Sequence, residues 1–222
     1  MAGSLSEMLN STVCDGPRLT AVLRDPIAGL QAGMNIGYKI TPRNQTLRTG
    51  IPLTISKKPA KFFLGFFMHL EADAAGKYMT VKESMTLLAL DRDLSRELLH
   101  YDYERDKHLQ EKGYPEAHVQ VCASSPDWEI AGRRTGKEDL PLRNIHLPVG
   151  PVGGRRFRPT LEDVIELLIV EDLVDYREGW KDALNKTRRP FQELQLKAAV
   201  RQNQQLAIEA LKSEGWNITR KE

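Results

Sequence analysis

The sequence predicts an α+β fold, in which an antiparallel sheet of about five or six strands is followed by C-terminal helices packed on one face. Segments rich in aromatic and β-branched residues, separated by turn signals, fill the first two-thirds of the 222 residues. From residue 160 the apolar positions recur at helical spacing instead. Strands first and helices last is the order typical of α+β domains.

The N-terminal region, residues 5–33, is predicted to form short helices. Its apolar side chains recur at helical spacing and are interrupted by prolines and glycines. These apolar positions are Leu19, Val22, Leu23, Ile27 and Leu30. A helical N-terminus would therefore precede the sheet.

Six strand candidates follow this region. Four are MNIGYKIT, FFLGFFMHLE, KYMTVKESMTLLAL and ELLHYDYE, and two shorter ones are AHVQVCA and LRNIHLPV. The polar segment SSPDWEIAGRRTGKED is interpreted as a loop between the last two. His69 lies in an apolar strand and His108 in a loop, so both carry less weight as functional residues.

The C-terminal third is predicted to be helical. Thr160 and Asp163 have the spacing of a capping box, and an apolar helix follows at 161–174. Two further helices are expected over FQELQLKAAVRQN and QQLAIEALKSE. We therefore predict a core domain at 1–175, which includes the short N-terminal helices, and a C-terminal helical extension at 176–222.

Composition favours a globular cytoplasmic protein. The longest apolar run, FFLGFFMHL, is far shorter than the roughly 20 residues that span a bilayer. The N-terminus lacks the basic and apolar regions of a signal peptide. Cys14 and Cys122 fit no metal-binding spacing and are expected to be free thiols in a reducing compartment. No membrane contact, cofactor or metal is predicted, and a homo-oligomer is compatible with this composition.

Charge is unevenly distributed although the net charge is only +2. Residues 39–61 contain six basic and no acidic side chains, and residues 133–158 contain seven basic and two acidic ones. Residues 162–178 carry seven acidic side chains against Arg177 alone. Such blocks could bind RNA or DNA phosphates, or they could simply solvate loops and one helix face.

Four residues on neighbouring predicted strands form the candidate catalytic group. Alternation places His100 and Asp102 on one face of their strand, with Tyr101 and Tyr103 on the other. His118 and His146 would join that face if the strands are neighbours. Imidazoles beside a carboxylate suit general acid–base catalysis or metal binding. No HExxH, CxxC pair or GxSxG motif is present, and cross-strand structural pairing is the alternative.

The segment at 145–168 joins the last predicted strand to the capped helix. Its glycines match neither a Walker loop nor a dinucleotide fingerprint. Arg155, Arg156 and Arg158 are predicted to contact nucleic-acid phosphates without reading sequence.

The motifs HYDY, YPEAH and RPTLEDVIELLI, in this order, resemble the TumE-type toxins of bacterial toxin–antitoxin modules over residues 97–170. The matching positions are His100, Tyr101, Tyr103, Pro115, His118, Pro159, Thr160, Leu161 and Glu162. This resemblance implies a small intracellular toxin that acts on RNA and pairs with a helix-turn-helix antitoxin. The chain is also similar to large actinobacterial proteins that share these motifs, which implies a shape and no activity.

Two functional hypotheses follow. The first is a non-catalytic binding or regulatory module of a toxin–antitoxin or phage-defence system, with a protein partner. The alternative is an RNA-directed toxin or nuclease that uses His100, His118 and His146 beside the basic loop. Convergence of the histidines in a cleft would favour the nuclease, and an exposed apolar or acidic stripe on the helices after residue 180 would favour the binding module.

Overall fold

The computed structural model of the protein describes residues 1–24, 33–73, 75–105, 107, 115–136, 147 and 159–219. The helices are α1 (Ala2–Thr12), α2 (Asp127–Thr135), α3 (Leu161–Val170), α4 (Trp180–Gln202) and α5 (Gln204–Ser213). The strands are β1 (Leu19–Arg24), β2 (Gly33–Tyr38), β3 (Ile51–Leu53), β4 (Phe62–Ala72), β5 (Met79–Ala89), β6 (Glu97–Glu104) and β7 (Ala117–Val121).

These strands form one antiparallel sheet in the order β1-β2-β4-β5-β6-β7, and β3 pairs with β4 beyond the end of β2. The predicted α+β class is therefore confirmed, with helices α4 and α5 at the C-terminus. Five of the six strand candidates correspond to β2, β4, β5, β6 and β7. The sixth, at 142–149, lies outside the described residues apart from Leu147.

One face of the sheet carries the hydrophobic core. Along β4, Phe62, Leu64 and Phe66 alternate inward and are at most 1% exposed. The same face receives Leu9 of α1 and Ile165 of α3, both fully buried in the same cluster. Burial of these side chains is the main favourable contribution to folding. The opposite side of the sheet is called the outer face below.

The capping box predicted at the start of α3 is present. The Thr160 side chain accepts from the backbone nitrogen of Asp163, and the Asp163 carboxylate accepts from the backbone nitrogen of Thr160 at 2.8 Å. Extended backbone at Thr160 fixes the first residue of the helix. The helix ends at Val170, four residues before the predicted end.

The helical prediction for residues 5–33 was correct up to residue 12 and wrong at 19–24, and Ile27 and Leu30 lie outside the described residues. Residues 2–12 form α1, whereas Leu19, Val22 and Leu23 lie in strand β1, which pairs with β2. Three apolar residues at 19, 22 and 23 fit a helical period, but cross-strand pairing and burial of Leu19 and Val22 decide the structure. The short strand β3 was not predicted either.

The segment interpreted as a polar loop also contains a helix. Helix α2 begins after Pro126 and ends at Thr135, and it is followed by Gly136, whose φ of 74° is the left-handed conformation that favours glycine. Acidic residues fill its first turn and Arg133 and Arg134 its last, as the helix dipole favours. Trp128 is buried in the core, so tertiary packing fixes a helix that its polar composition concealed.

Helix α4 begins eleven residues before the predicted start at Phe191 and continues through Pro190. A proline inside a helix removes one backbone hydrogen bond, which made a break there the simpler prediction. Leu184 is 1% exposed, and Arg188 forms ion pairs with Asp163 and Glu166 of α3. These contacts anchor the first half of α4 and allow it to tolerate Pro190.

Candidate functional site

The candidate site lies on the outer face, where β6 and β7 pair. Asp102 is directly opposite His118, and His100 is opposite Gln120. Strand alternation puts all four side chains on this face, while Tyr101 and Tyr103 point into the core. The adjacency of β6 and β7 therefore brings two histidines and a carboxylate together.

Three side-chain atoms converge within this group. His100 Nε2 lies 3.4 Å and His118 Nε2 4.0 Å from the same oxygen, Asp102 Oδ2. All three atoms are within 4.8 Å of one another, and the rings meet edge to face with centroids 6.4 Å apart. We call His100, Asp102 and His118 the β6–β7 triad.

The triad is partly accessible. The side chains of His100, Asp102 and His118 are 12%, 20% and 25% exposed. Partial burial has an electrostatic consequence, because desolvation raises the pKa of Asp102 above its usual value, although the two histidines act in the opposite direction. A small ligand can therefore reach the triad. The charged form of the Asp102 carboxyl is disfavoured there by its partial burial.

A second carboxylate, that of Glu97, contacts the ring nitrogen of His100 that is turned away from Asp102. His100 Nδ1 donates to Glu97 Oε1 at 2.5 Å, so the other ring nitrogen of His100 is the one turned towards Asp102. Cys122 Sγ lies 4.0 Å from the same Glu97 oxygen, and burial, with Glu97 and Asp127 nearby, raises the pKa of the Cys122 thiol. Glu97 therefore fixes the orientation of the His100 ring.

Sequence reasoning missed Glu97 because of an irregularity in the sheet. Strict alternation would place residue 97 on the face opposite His100. The register of β5 against β6 shifts at Ala89, which pairs with Glu97 while Leu98 is left out of the pairing. A β-bulge of this kind redirects a side chain, and here it brings Glu97 to the outer face. The signal in the sequence that points to this contact is a carboxylate, Glu97, three residues before His100.

The tyrosines of the HYDY motif have a structural role. Tyr101 is 6% and Tyr103 3% exposed. Desolvation, with a smaller contribution from Asp163, raises the pKa of the Tyr101 hydroxyl, which accepts or donates no hydrogen bond among the described residues. Neither tyrosine is part of the triad.

Several predicted site residues lie outside the described part of the chain. They are His146, Arg155, Arg156 and Arg158. The structure therefore brings together His100, Asp102 and His118 of the predicted catalytic group, and the predicted phosphate contacts of the three arginines stay predictions.

The basic residues of the segment 39–61 lie in two different parts of the structure. Gln45 accepts from Asn35 at 2.7 Å, and Leu47 would be 3.1 Å from a Cβ at Gly65, so this part of the chain covers the outer face. Arg48 is exposed beside Leu47. Lys58 instead pairs with Asp175 at 3.0 Å. Because Gly65 and His100 are two strands apart in the sheet, the Arg48 segment lies roughly 10 Å from the triad.

His69 belongs to a separate cluster on the same face. Its Nδ1 donates to Asn35 Oδ1 at 2.6 Å, and its Nε2 lies 3.1 Å from both Glu71 Oε1 and Arg24 Nη1. His69 is 2% exposed. Both ring nitrogens already have protein partners, so this histidine is a buried structural residue.

Comparisons with known proteins found no match, so the function is inferred from the geometry of the candidate site. No family model, curated protein or solved structure matches the chain. Within the described residues, no helix is both long and apolar enough to cross a membrane.

Proposed function

We propose that the protein is a metal-dependent phosphodiesterase that acts on RNA, with a divalent transition metal held by His100, Asp102 and His118. The observation that supports this proposal is the convergence of two imidazole nitrogens on one carboxylate oxygen at an accessible sheet edge. It modifies the nuclease hypothesis, since the two histidines act as ligands rather than as a bare acid–base pair.

The donor set suits Zn²⁺ in a catalytic arrangement. Such sites use three nitrogen or oxygen ligands at about 2.0–2.2 Å and leave a fourth position for water. Ligand atoms around a tetrahedral ion are then roughly 3.4 Å apart. His100 Nε2 and His118 Nε2 lie 3.4 Å and 4.0 Å from Asp102 Oδ2, and all three atoms are within 4.8 Å of one another, so the three ligands would have to draw together around the ion. Glu97 supplies the outer carboxylate that metal-bound histidines usually have.

The outer face also suits a phosphodiester substrate. A divalent ion held by His100, Asp102 and His118 would supply a water of lowered pKa for attack on a phosphodiester. Exposed Arg43 and Arg48 lie on the segment that covers part of this face, and their positive charge favours a polyanionic substrate. The resemblance to RNA-directed toxins favours RNA over other phosphodiesters, and this proposal assigns the protein to the cytoplasm.

Calorimetric titration of the full metal-free chain with Zn²⁺ tests the site. We expect wild type and Gln120→Ala to bind one ion, because Gln120 shares the strand and face of His118 without belonging to the triad. His118→Ala and Asp102→Asn should each weaken binding at least ~100-fold. Equal binding by His118→Ala and Gln120→Ala would overturn the metal site.

Cleavage of a fluorescent single-stranded RNA tests the activity separately. We expect Zn²⁺ to support cleavage by wild type and Gln120→Ala, and both His118→Ala and EDTA to abolish it. Zn²⁺ binding at the triad without any cleavage would retain the metal site and reject the phosphodiesterase.

A second candidate function is supported by the C-terminal helices. Large apolar side chains on these helices and just after α5 are 43–67% exposed, namely Leu194, Leu196, Val200, Leu206, Leu211 and Trp216. Exposed apolar side chains at this density favour binding to another protein. The alternative proposal is therefore a non-catalytic module of a toxin–antitoxin or phage-defence system, whose partner covers α4 and α5.

Expression in a bacterium distinguishes the two candidates by a growth effect. If protein binding alone is responsible, His100→Ala with His118→Ala should retain that effect and Leu196→Lys should abolish it. The reverse pattern would support catalysis.

A further inference from the structure

A second potential site is a cavity between the core side of the sheet and the helices. The cavity has a volume of about 310 Å³ and is partly open to solvent. Met68 of β4 and Val81 of β5 line it on the sheet side, and residues of α1, α3 and α4 line the other sides. It lies on the face opposite the β6–β7 triad, because Met68 belongs to the hydrophobic core. The cavity therefore has the size of a small-molecule site that is separate from the triad.

The lining of this cavity is mainly apolar. In addition to the two strand residues, it includes Leu5 of α1, Leu161 of α3 and Phe191 of α4. Such a lining gives water few hydrogen-bond partners, whereas an apolar ligand gains free energy by leaving water. An apolar cavity of roughly 150 Å³ holds a molecule the size of benzene, so this one accommodates roughly twelve non-hydrogen atoms.

The charged groups around the cavity compensate one another. Lys186 and Met1, which carries the N-terminal ammonium, supply two positive charges to the wall, and Glu162 supplies a negative one. The Lys186 Nζ donates to Glu7 Oε1 at 2.6 Å, which adds a second negative charge at the exposed side. Two positive charges are thus balanced by two negative ones. A charged ligand would meet no net opposite charge here and would lose hydration on entering.

The second half of α4 forms one side of the cavity without being buried. Among the residues of α4, all of which the structure describes, Leu184 in the first half is the one that is buried. Phe191 and Leu194 line the cavity, and Leu194 is 53% exposed. Further along the helix, the Arg201 guanidinium lies 4.7 Å from the centre of the Tyr78 ring. A molecule in the cavity would give Phe191 and Leu194 an apolar surface to pack against.

From these observations we infer that the cavity binds an uncharged, mainly apolar small molecule, which fixes the second half of α4 against the sheet. The apolar part of the ligand packs between Met68, Val81 and Phe191 and is removed from water. A single polar group, such as a hydroxyl, lies at the open side and keeps its hydrogen bonds to water. This inference is independent of the proposed metal chemistry, which uses the other face of the sheet.

Calorimetric titration of the full chain at pH 7 with three matched probes tests the ligand class. The probes are 1-octanol, octylamine and octanoate, which share one apolar chain and differ in the charge of the head group. We expect octanol to bind at least ~10-fold more tightly than either ion, because its head group loses the least hydration. Octylamine or octanoate binding as tightly as octanol would overturn the inference, and so would a lack of octanol binding.

A series of 1-alkanols tests the size of the site. Each CH₂ group that leaves water strengthens binding roughly four-fold, so the affinity should rise steadily from hexanol to octanol. The gain should stop at a chain of roughly ten to twelve carbons, because the cavity is then filled. An affinity that kept rising with longer chains would indicate unspecific association and would overturn the assignment to a bounded cavity.

Two variants of α4 locate the site. Leu194→Trp places a larger side chain at the half-exposed wall, and it should fill part of the cavity and weaken octanol binding at least ~10-fold. Leu196→Trp is the matched control, because Leu196 is 61% exposed on the same helix and does not line the cavity. It should bind octanol as wild type does. Unchanged octanol binding by Leu194→Trp would overturn the assignment to this cavity.

Amide hydrogen exchange measures the effect of the ligand on α4. Saturating octanol should slow exchange at residues 190–202 in wild type and in Leu196→Trp, because local opening of this half-helix would then expose the bound ligand. The same concentration should leave exchange in Leu194→Trp nearly unchanged. Octanol binding without any slowing at residues 190–202 would overturn the inference that the ligand fixes α4.

Discussion

Two histidine clusters occupy the same face of the sheet and differ in what surrounds them. His69 on β4 is 2% exposed, and Asn35, Glu71 and Arg24 contact its two ring nitrogens. His118 on β7 has a quarter of its side chain exposed, and its Nε2 faces a shared carboxylate oxygen. The same residue type is therefore a structural component in the sheet interior and a candidate ligand at the sheet edge.

The difference arises from position in the sheet. β4 is central and pairs with β2, β3 and β5, so its polar side chains must find partners within the protein. β7 is the last strand of the described sheet and has β6 as its neighbour. Polar groups at such an edge can remain solvated and available. The two clusters consequently predict opposite responses to substitution.

The largest effect is expected from His69→Ala. Removal of the ring leaves the buried Asn35 and Glu71 without their shortest contacts, and we expect a loss of about 3 kcal/mol in the free energy of unfolding. Urea denaturation measures this loss. His118→Ala is the control and should cost less than about 1 kcal/mol, because its side chain is partly exposed. Equal losses in the two variants would remove the distinction between the clusters.

Gly33→Ala tests how tightly the His69 cluster is packed. An added Cβ would lie 2.6 Å from His69 Cε1 and 2.7 Å from the Leu70 carbonyl oxygen, and neither can move freely. We expect a loss of about 2 kcal/mol by urea denaturation. Gly3→Ala in α1, where an added Cβ meets nothing within 4 Å, should be neutral or stabilising. A neutral Gly33→Ala would show that the cluster is loosely packed.

Glu97→Gln tests whether the outer carboxylate strengthens metal binding at the triad. A neutral amide would accept the His100 proton less strongly, and we expect Zn²⁺ affinity to fall about 10-fold, which is about 1.4 kcal/mol. Calorimetric titration measures the change. Glu104→Gln, on the same strand and face but paired with Lys107, is the control and should bind nearly as wild type. The role of Glu97 fails if both variants bind Zn²⁺ equally.

The smallest effect is a gain in stability from Asp102→Asn in the metal-free protein. Desolvation raises the pKa of Asp102 in the folded state, so the charged carboxylate opposes folding at pH values above both the unfolded and the folded pKa. The variant should therefore be slightly more stable than wild type at pH 8. The difference should disappear towards pH 3, where the carboxyl is protonated in both states. Urea denaturation at the two pH values checks the sign, and a loss of stability at pH 8 would contradict it.

Sequence reasoning recovered the sheet and its two faces but not every element. The alternation of His100, Asp102 and Tyr101 was predictable because period two is a local property of a strand. The position of β1, the existence of α2 and the continuation of α4 through Pro190 depend on contacts with distant residues such as Trp128 and Leu184. The predicted roles of His146, Arg155, Arg156 and Arg158 stay predictions, because these residues lie outside the described part of the chain.

The sequence by itself determined the fold class, the capped start of α3 and the face on which each half of the β6–β7 triad lies. These features follow from period and capping chemistry, which act over a few residues. Tertiary structure alone decided that β6 and β7 pair in a register that opposes Asp102 to His118, and that a bulge brings Glu97 behind His100. It also formed a cavity between the sheet and helices α1, α3 and α4. Register, bulges and cavities arise from the packing of distant segments, which no local pattern encodes.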